Sequence, residues 1–512
     1  GDGRRRQGRV RFRGRGGHAA RAPRLVRVLF VVSCLFLVIF FHQGTSANPM
    51  SRLLTVFALV DEGHLNADRW GDAFTDKVYV GGHLYSDKAP LSSFVVTPFY
   101  AAWRAWNRRA PRAAYENAAI HIADFVAAAV PFALLGLLVL RKAELFCSQA
   151  RASRIALVAM FSTCLFNYGN TYFGHMLAGL LLVCSYILAV EKKQFALAGL
   201  VGGFGVLAEY PVALSQACIA IWLLGPRLSG WRRTAAFCAG AVAPAVAQLV
   251  YNACITGSSL SLPYAHVPDD WAPMRTAFGI RWPSPLAAWE LLLGQYRGLL
   301  FYAPTLAVLA PLALRRPSDR EERSVWRLIV AIGVTDFLFV SAYFKWDGGW
   351  CTGPRHLTPV LALLLYEGVR RLAQGWPRHR AAFFATGSAG ILVNLAAAAT
   401  TPVVPESQEH PLFDSFLPSL MANDTNAHNL AVECGLRNGT WLVGIWILSF
   451  AGLGALLTMT AKFASRPREN AGVAPRCREG GLSHVFRHSI EWLRALRHKP
   501  AAGTEFDGTR PG

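Results

Sequence analysis

Between Asp61 and Lys88 the chain carries six carboxylates and only three lysines or arginines, although the sequence as a whole is apolar and strongly basic. Asp61 and Glu62 follow the apolar stretch Leu53–Val60, which reads as a helix lying on a membrane surface. A carboxylate at the lip of a membrane cavity can take the proton from an attacking hydroxyl if it lies within hydrogen-bond reach. An acidic pair in an ordinary solvated loop is the plainer alternative. The same loop ends in Ser86-Asp87-Lys88-Ala89-Pro90. A lysine there offers a phosphate a compact point charge, against the common case of a lysine snorkelling to the interface. With only eight lysines in the chain, the choice of lysine over arginine carries some information.

Further chemistry-bearing groups recur downstream. Phe173-Gly174-His175 and Glu209-Tyr210-Pro211 bracket short apolar segments. A glutamate near membrane depth is costly unless it is paired or faces a cavity, whereas His175 alone fits a structural histidine equally well. Tyr264, then Gln295-Tyr296-Arg297-Gly298, then Lys345-Trp346-Asp347-Gly348-Gly349-Trp350 and Gly353-Pro354-Arg355-His356 mix aromatic rings with Arg, Asp and Gly. Trp and Tyr at membrane interfaces usually form a belt. Alternation with arginine and glycine in non-helical sequence instead suits a sugar and a phosphate, because the guanidinium is a planar fork for phosphate oxygens.

The elements that must position these groups are helices in a membrane. The 512 residues are 53% hydrophobic and 16% charged, with mean hydropathy +0.29. Apolar runs separated by short Arg-rich loops predict an all-α polytopic membrane protein, since a lipid-spanning chain must satisfy its backbone internally. The candidate spans are 25–41, 118–140, 154–172, 175–190, 194–210, 212–225, 234–254, 298–314, 326–343, 357–372, 380–400 and 441–462. Several fall short of the ~20 residues that a ~30 Å core requires, which predicts hairpin or broken helices. The formal charge of +21 sits beside the spans, with ten arginines in residues 1–27. That placement is the pattern of cytoplasmic loops and argues against nucleic acid.

Threading the spans by the positive-inside rule makes 91–106 re-entrant or interfacial and turns four long loops outward, 42–117, 255–297, 344–356 and 401–440. Residues 1–24 are a basic cytoplasmic segment, and 25–462 the transmembrane domain. Residues 463–512 form a basic cytoplasmic tail with an amphipathic helix over 482–497. Val28–Phe41 reads as a retained anchor. The cysteines show no C-x-x-C spacing, and Cys351 and Cys434 fall in outward loops where a bridge can form.

The ordered succession D-E-G at 61–63, G-H-L-Y-S-D-K-A-P at 82–90, F-G-H at 173–175, E-Y-P at 209–211, Q-Y-R-G-L-L-F-Y-A-P at 295–304 and W-D-G-G-W-C-T-G-P-R-H-L at 346–357 resembles a bacterial branch of the GT-C membrane glycosyltransferases. Protein O-mannosyltransferases and lipid A aminoarabinose transferases belong to that superfamily. The resemblance covers roughly residues 25–460 and implies a bundle of about twelve transmembrane helices with juxtamembrane helices in a long first outer loop. It also implies a sugar donor carried on a polyprenyl phosphate and a catalytic acid in that loop. Asp61 is then the expected base, with Glu62 as its substitute. This chain has Lys88-Ala89-Pro90 where better-known members often have Lys-Pro-Pro.

The resulting expectation is an inverting transfer to an acceptor lipid, glycan or protein on the extracytoplasmic face of the cytoplasmic membrane, through an oxocarbenium-like transition state. Lys88, Arg297 and Arg355 are expected at the donor phosphate. Asp87, His175, Glu209, Tyr210, Tyr264, Trp346 and Asp347 are expected to line the cavity. A divalent cation such as Mg2+ or Mn2+ is compatible with the carboxylates, but no ligand spacing demands one. The rival readings are a transporter or flippase of lipid-linked sugars and a polymerase or ligase of lipid-linked glycans. A transporter would set its charges near the bilayer midplane, whereas here they cluster towards one face.

Overall fold

The computed structural model describes residues 21–42, 46–73, 76–225, 230–401, 403–426 and 428–464. The expected helix over 482–497 and most of the basic segment 1–24 lie outside the described residues.

Long apolar helices dominate. Among the described residues, six are long and apolar enough to cross a membrane by length and composition: Arg112–Glu144, Gly174–Glu191, Gly230–Thr256, Arg320–Ala342, Trp376–Ala399 and Trp441–Ala464. Other expected spans are short or divided. Residues 194–210 and 212–225 become Phe195–Ala208 and Val212–Leu224, each below the ~20 residues of a full crossing. The 298–314 span splits into Leu299–Tyr302 and Leu306–Leu314 around Pro304. A prolyl ring removes a backbone donor and clashes with the preceding turn, so the break is local chemistry. The freed Tyr302 carbonyl accepts from Asn394 Nδ2 at 2.8 Å, and Asn394 Oδ1 accepts from Asn167 at 2.9 Å. A broken helix is tolerated in lipid only when its backbone is re-satisfied in this way.

The first helix, Arg21–Ile39, packs between Val130–Glu144 and Trp441–Ala464, and Trp446 Nε1 donates to the Leu37 carbonyl at 2.8 Å. Leu91–Trp106 is a 16-residue helix containing Pro98, a length that suits the re-entrant or interfacial expectation. Cys351 and Cys434 are free thiols, so the bridge allowed by their loop positions is not formed.

Two short strands interrupt the otherwise helical chain. Lys77–Val80 pairs antiparallel with His83–Ser86, and Gly81-Gly82 between them have φ of +59° and +85°. Positive φ at both central residues is the type I′ requirement, whose twist matches that of the flanking strands. The tight turn fixes Lys77 opposite Ser86, and so brings Asp76 and Asp87 together at the open end.

The closest helix crossing joins Phe195–Ala208 to Gly230–Thr256. A Cβ on Gly199 would lie 1.8 Å from the Phe237 carbonyl oxygen, and one on Gly240 1.8 Å from that of Ala196. Small residues let backbones approach where lipid supplies no hydrophobic drive. Gly199→Leu is therefore expected to lower the unfolding temperature in detergent by several degrees or to abolish monodisperse protein. Gly444→Leu, where a Cβ meets nothing within 4 Å, is expected to leave it unchanged.

Candidate functional site

The hairpin closes two carboxylates on one ammonium. Lys88 Nζ donates to Asp87 Oδ2 at 2.8 Å and lies 2.9 Å from Asp76 Oδ2, with all three side chains nearly enclosed. Burial alone would lower the Lys88 ammonium, but Asp76 and Asp87 hold it above its ordinary value. Burial would raise Asp76, yet Lys88, with Arg355 and Arg52 behind it, holds that carboxyl below the ordinary range. Asp87 goes the other way: burial raises it, and Lys88 offsets that only in part. One ammonium thus ionises Asp76 fully and Asp87 reluctantly.

The helix Ala47–Phe57 links this triad to a second charge pair. Ser51 Oγ donates to Asp87 Oδ1 at 3.0 Å. Its neighbour Arg52, 1% exposed, donates to Glu209 Oε1 at 2.6 Å, to Ser92 Oγ at 2.7 Å and to the Ala89 carbonyl at 3.2 Å. Glu209 Oε1 also lies 3.4 Å from His175 Nδ1. Gly174 explains the glycine of the F-G-H motif, because a Cβ there would lie 2.5 Å from Glu209 Oε1 and 3.0 Å from Arg52 Nη1. The Glu209 carboxylate therefore rests on the N-terminus of the helix Gly174–Tyr186, where the aligned peptide dipoles favour negative charge.

Unlike Arg52, Lys88, Arg297 and Lys345, Arg355 donates no side-chain hydrogen bond among the described residues. Its guanidinium lies over the Phe173 ring, 5.4 Å from the centroid, and makes no ion pair within 4.0 Å among the described residues. Its Nε has no hydrogen-bond partner, and neither do His356 Nε2 or His175 Nε2. The two imidazoles meet edge to face with centroids 5.6 Å apart. Burial and the neighbouring Arg355 charge hold His356 well below the ordinary imidazole range, so it is neutral. Gly348, at φ +76°, lets the loop wrap Arg355, since a Cβ would meet the Arg355 Cγ at 2.9 Å. Buried polar atoms normally find partners. Arg355 Nε, His175 Nε2 and His356 Nε2 are three such atoms without a partner among the described residues.

Of the remaining expected residues, Tyr210 and Tyr264 lie beside the triad and Arg52, and the others are engaged by partners of their own. Asp61 accepts from the Tyr100 hydroxyl at 2.9 Å and from Arg104 Nε at 2.8 Å, within a cluster that includes Phe57, Trp70 and Tyr115. Glu62 accepts from Trp70 Nε1 at 3.0 Å. The helix runs on from Arg52 to Glu62. A rise of ~1.5 Å per residue puts Asp61 roughly 13 Å along it from Arg52. Arg297, 0% exposed, donates to the carbonyls of Asp347, Tyr296 and Gly349 at 2.7, 3.1 and 2.8 Å. It is a strut inside the loop that carries Arg355. Asp347 Oδ1 accepts from the Gly349 amide at 3.0 Å, and Trp346 packs with Leu291, Val340 and Leu357. Lys345 is ion-paired with Glu406, which ties this loop to the chain beyond residue 401. Tyr264 and Tyr210 meet edge to face at 5.8 Å, and Tyr264 packs on Val78 of the hairpin.

Arg52, Asp76 and His356 belong to the site without standing out in the sequence. Arg52 had one signal, a lone cation inside an apolar helix. Asp76 needed the hairpin, legible as V-Y-V-G-G-H-L-Y with its Gly-Gly turn.

No model of a known protein family matches the chain, and no curated protein matches it. Among solved structures, ArnT from Cupriavidus metallidurans bound to undecaprenyl phosphate is similar with TM-score 0.46 and 14% identity, over 86% of this chain and 77% of that one. The apo state of the same protein gives TM-score 0.44 at 14% identity, over 86% and 78%. Likeness at this level identifies neither a substrate nor the role of a residue.

The Lys88 triad has a pH signature. A raised Lys88 stabilises the fold below ~10 and loses that contribution as pH rises through its folded value, while a depressed Asp76 stabilises above ~4 and loses it as pH falls. Lys88→Met leaves two adjacent buried carboxylates without a cation, so its native state binds more protons than its unfolded chain. The stability deficit of Lys88→Met is expected to shrink between pH 7.5 and pH 5, measured by thermal unfolding in detergent. A deficit that does not change with pH would mean that the ammonium is not what ionises the pair.

Proposed function

We propose that the chain is a membrane glycosyltransferase that takes a sugar from a polyprenyl-phosphate donor. The observation that carries this reading is Arg355, a buried guanidinium on an aromatic face with no carboxylate partner, facing two histidines with open nitrogens. Such a group suits a phosphate that arrives with the substrate, because a bidentate guanidinium–phosphate contact is both strong and directional. Lys88 adds a point charge from the neighbouring triad. The leaving group is then a lipid phosphate that is already anionic, so cations rather than a general acid stabilise its departure.

Bond making follows from the same charges. The acceptor oxygen or nitrogen attacks the anomeric carbon, the bond from that carbon to the phosphate oxygen breaks, and a carboxylate takes the acceptor's proton. Two carboxylates compete for that role. Asp61 is the expectation from sequence, but both its oxygens are engaged by Tyr100 and Arg104. Asp76 lies against Lys88 and within the field of Arg355, and the geometry favours it. The acceptor is a hydroxyl or amine on a lipid, glycan or protein at the face that bears these loops, extracytoplasmic by the distribution of arginines. A transporter of lipid-linked sugars would use the same cations without needing a base.

The test compares four variants in purified, detergent-solubilised protein. Arg355→Ala is expected to fold and to weaken polyprenyl-phosphate binding on the order of tenfold to a hundredfold, the worth of one charge-assisted contact. Arg297→Ala is expected instead to reduce the yield of folded protein. Asp76→Asn is expected to bind donor and lose on the order of a hundredfold in release of polyprenyl phosphate, with Asp61→Asn losing less. A larger loss in Asp61→Asn would return the base to Asp61. Normal donor binding by Arg355→Ala would remove the proposed phosphate site.

A further inference from the structure

A second polar cluster lies apart from these residues. His42 follows the first helix, His121 lies on the helix Arg112–Ala123, and Glu433 ends the short helix Leu430–Glu433. One ligand atom from each lies within 4.8 Å of the others. His121 Nε2 is 3.9 Å from Glu433 Oε1, and the His42 and His121 rings meet edge to face with centroids 4.6 Å apart. They line a cavity of about 270 Å3 together with Asp124, Ile39 and Leu430.

Asp124 makes the cluster more than a surface ion pair. It is 3% exposed, and apart from an approach by the Tyr172 backbone neither of its carboxylate oxygens meets a hydrogen-bond donor. No cation pairs with it within 4.0 Å among the described residues. A buried carboxylate without donors is strongly unfavourable, so buried charges in proteins are paired or coordinate metals. The helix departs from regular α geometry at this residue, with a π-helical stretch over Asp124–Ala129. Such bulges are frequent at functional sites. His428 completes the surroundings, its ring 6.2 Å from that of His42.

We propose that His42, His121 and Glu433 bind one divalent transition-metal ion, Zn2+ by the chemistry of the donors, with Asp124 as the second carboxylate. Neutral imidazole nitrogens with carboxylate oxygens are ligands that Zn2+ takes in tetrahedral sites. Two carboxylates balance its double charge, which suits a part-buried cavity. Ligand atoms of a tetrahedral zinc site lie ~3.3 Å apart, given bonds of ~2.0 Å. The ligand atoms of His42, His121 and Glu433 lie within 4.8 Å of one another, and the His121 and Glu433 side chains are partly exposed.

The role is a staple. The ion joins the end of the first helix, the helix Arg112–Glu144 and the segment that leads into the last helix. Hydrogen bonds to the main chain already register the same parts: the Leu430 amide donates to the Phe40 carbonyl at 2.9 Å, and the Asn426 side-chain Nδ2 to that of His42 at 3.1 Å. The metal would lock this arrangement. It does not depend on the glycosyl-transfer reading.

The experiment uses untagged full-length protein in detergent, stripped with a chelator and titrated with Zn2+ against a chromogenic competitor. Elemental analysis after gel filtration is expected to find one zinc per chain, with the unfolding temperature raised on loading. Asp124→Asn is expected to weaken Zn2+ binding on the order of tenfold to a hundredfold. The double variant His121→Ala with Glu433→Gln, whose side chains are partly exposed, is expected to lose it altogether. Unmodified protein that holds no more Zn2+ than the double variant would overturn the proposal. So would stoichiometric binding that both variants retain.

Discussion

The ammonium of Lys88 between Asp76 and Asp87 is the interaction on which the rest of the site depends. Three charges closed away from water are tolerable only together, because removal of one partner leaves a buried charge uncompensated. The hairpin that delivers Asp76 and the loop that delivers Asp87 therefore hold one register. Ser51, which donates to Asp87, then fixes the rotation of the helix Ala47–Phe57, and that rotation aims Arg52 at Glu209. Glu209 in turn rests against Gly174 and His175. Residues far apart in sequence are set by a chain of ionic contacts that starts at one lysine.

Set against this compensated network, Arg355 stands out. Arg52 and Arg297 are as deeply buried, but each uses its guanidinium on protein acceptors, Arg52 on Glu209 and Ser92, Arg297 on the Tyr296 carbonyl beside it and on the Asp347 and Gly349 carbonyls of the loop that carries Arg355. Arg297 holds the backbone at Asp347 and Gly349, Gly348 folds over Arg355, and Lys345 ties the same loop to Glu406. The loop is thus rigid where it carries its one uncommitted cation. Groups held by their surroundings before a ligand arrives lose little freedom on binding it, which is the preorganisation that electrostatic catalysis requires.

Much of this was legible in the sequence, and what was not has physical causes. Apolar runs gave the long helices, and the motifs around Lys88, His175, Glu209 and Arg355 pointed to residues that the structure brings to neighbouring positions. Arg297 was indistinguishable from Arg355 in sequence, because both sit among glycine and aromatic residues, where an arginine that donates to carbonyls looks no different from one without such acceptors. Asp61 ends a helix beside acidic residues, as a lip carboxylate would, but its engagement by Arg104 depends on a helix packed from further along the chain. Asp76 was hidden by the hairpin, since only strand pairing carries it to Lys88. His42, His121 and Glu433 lie in three separate segments, and no spacing rule joins them.

On the proposed function, this site recognises a lipid phosphate. Native mass spectrometry of the unmodified protein, offered polyprenyl phosphate and the neutral polyprenol of equal length at equal concentration, tests it most directly. A one-to-one adduct with polyprenyl phosphate is expected to persist as collision energy strips away the polyprenol. Equal retention of the two lipids would show that the chain holds the isoprenoid tail alone, and would contradict it.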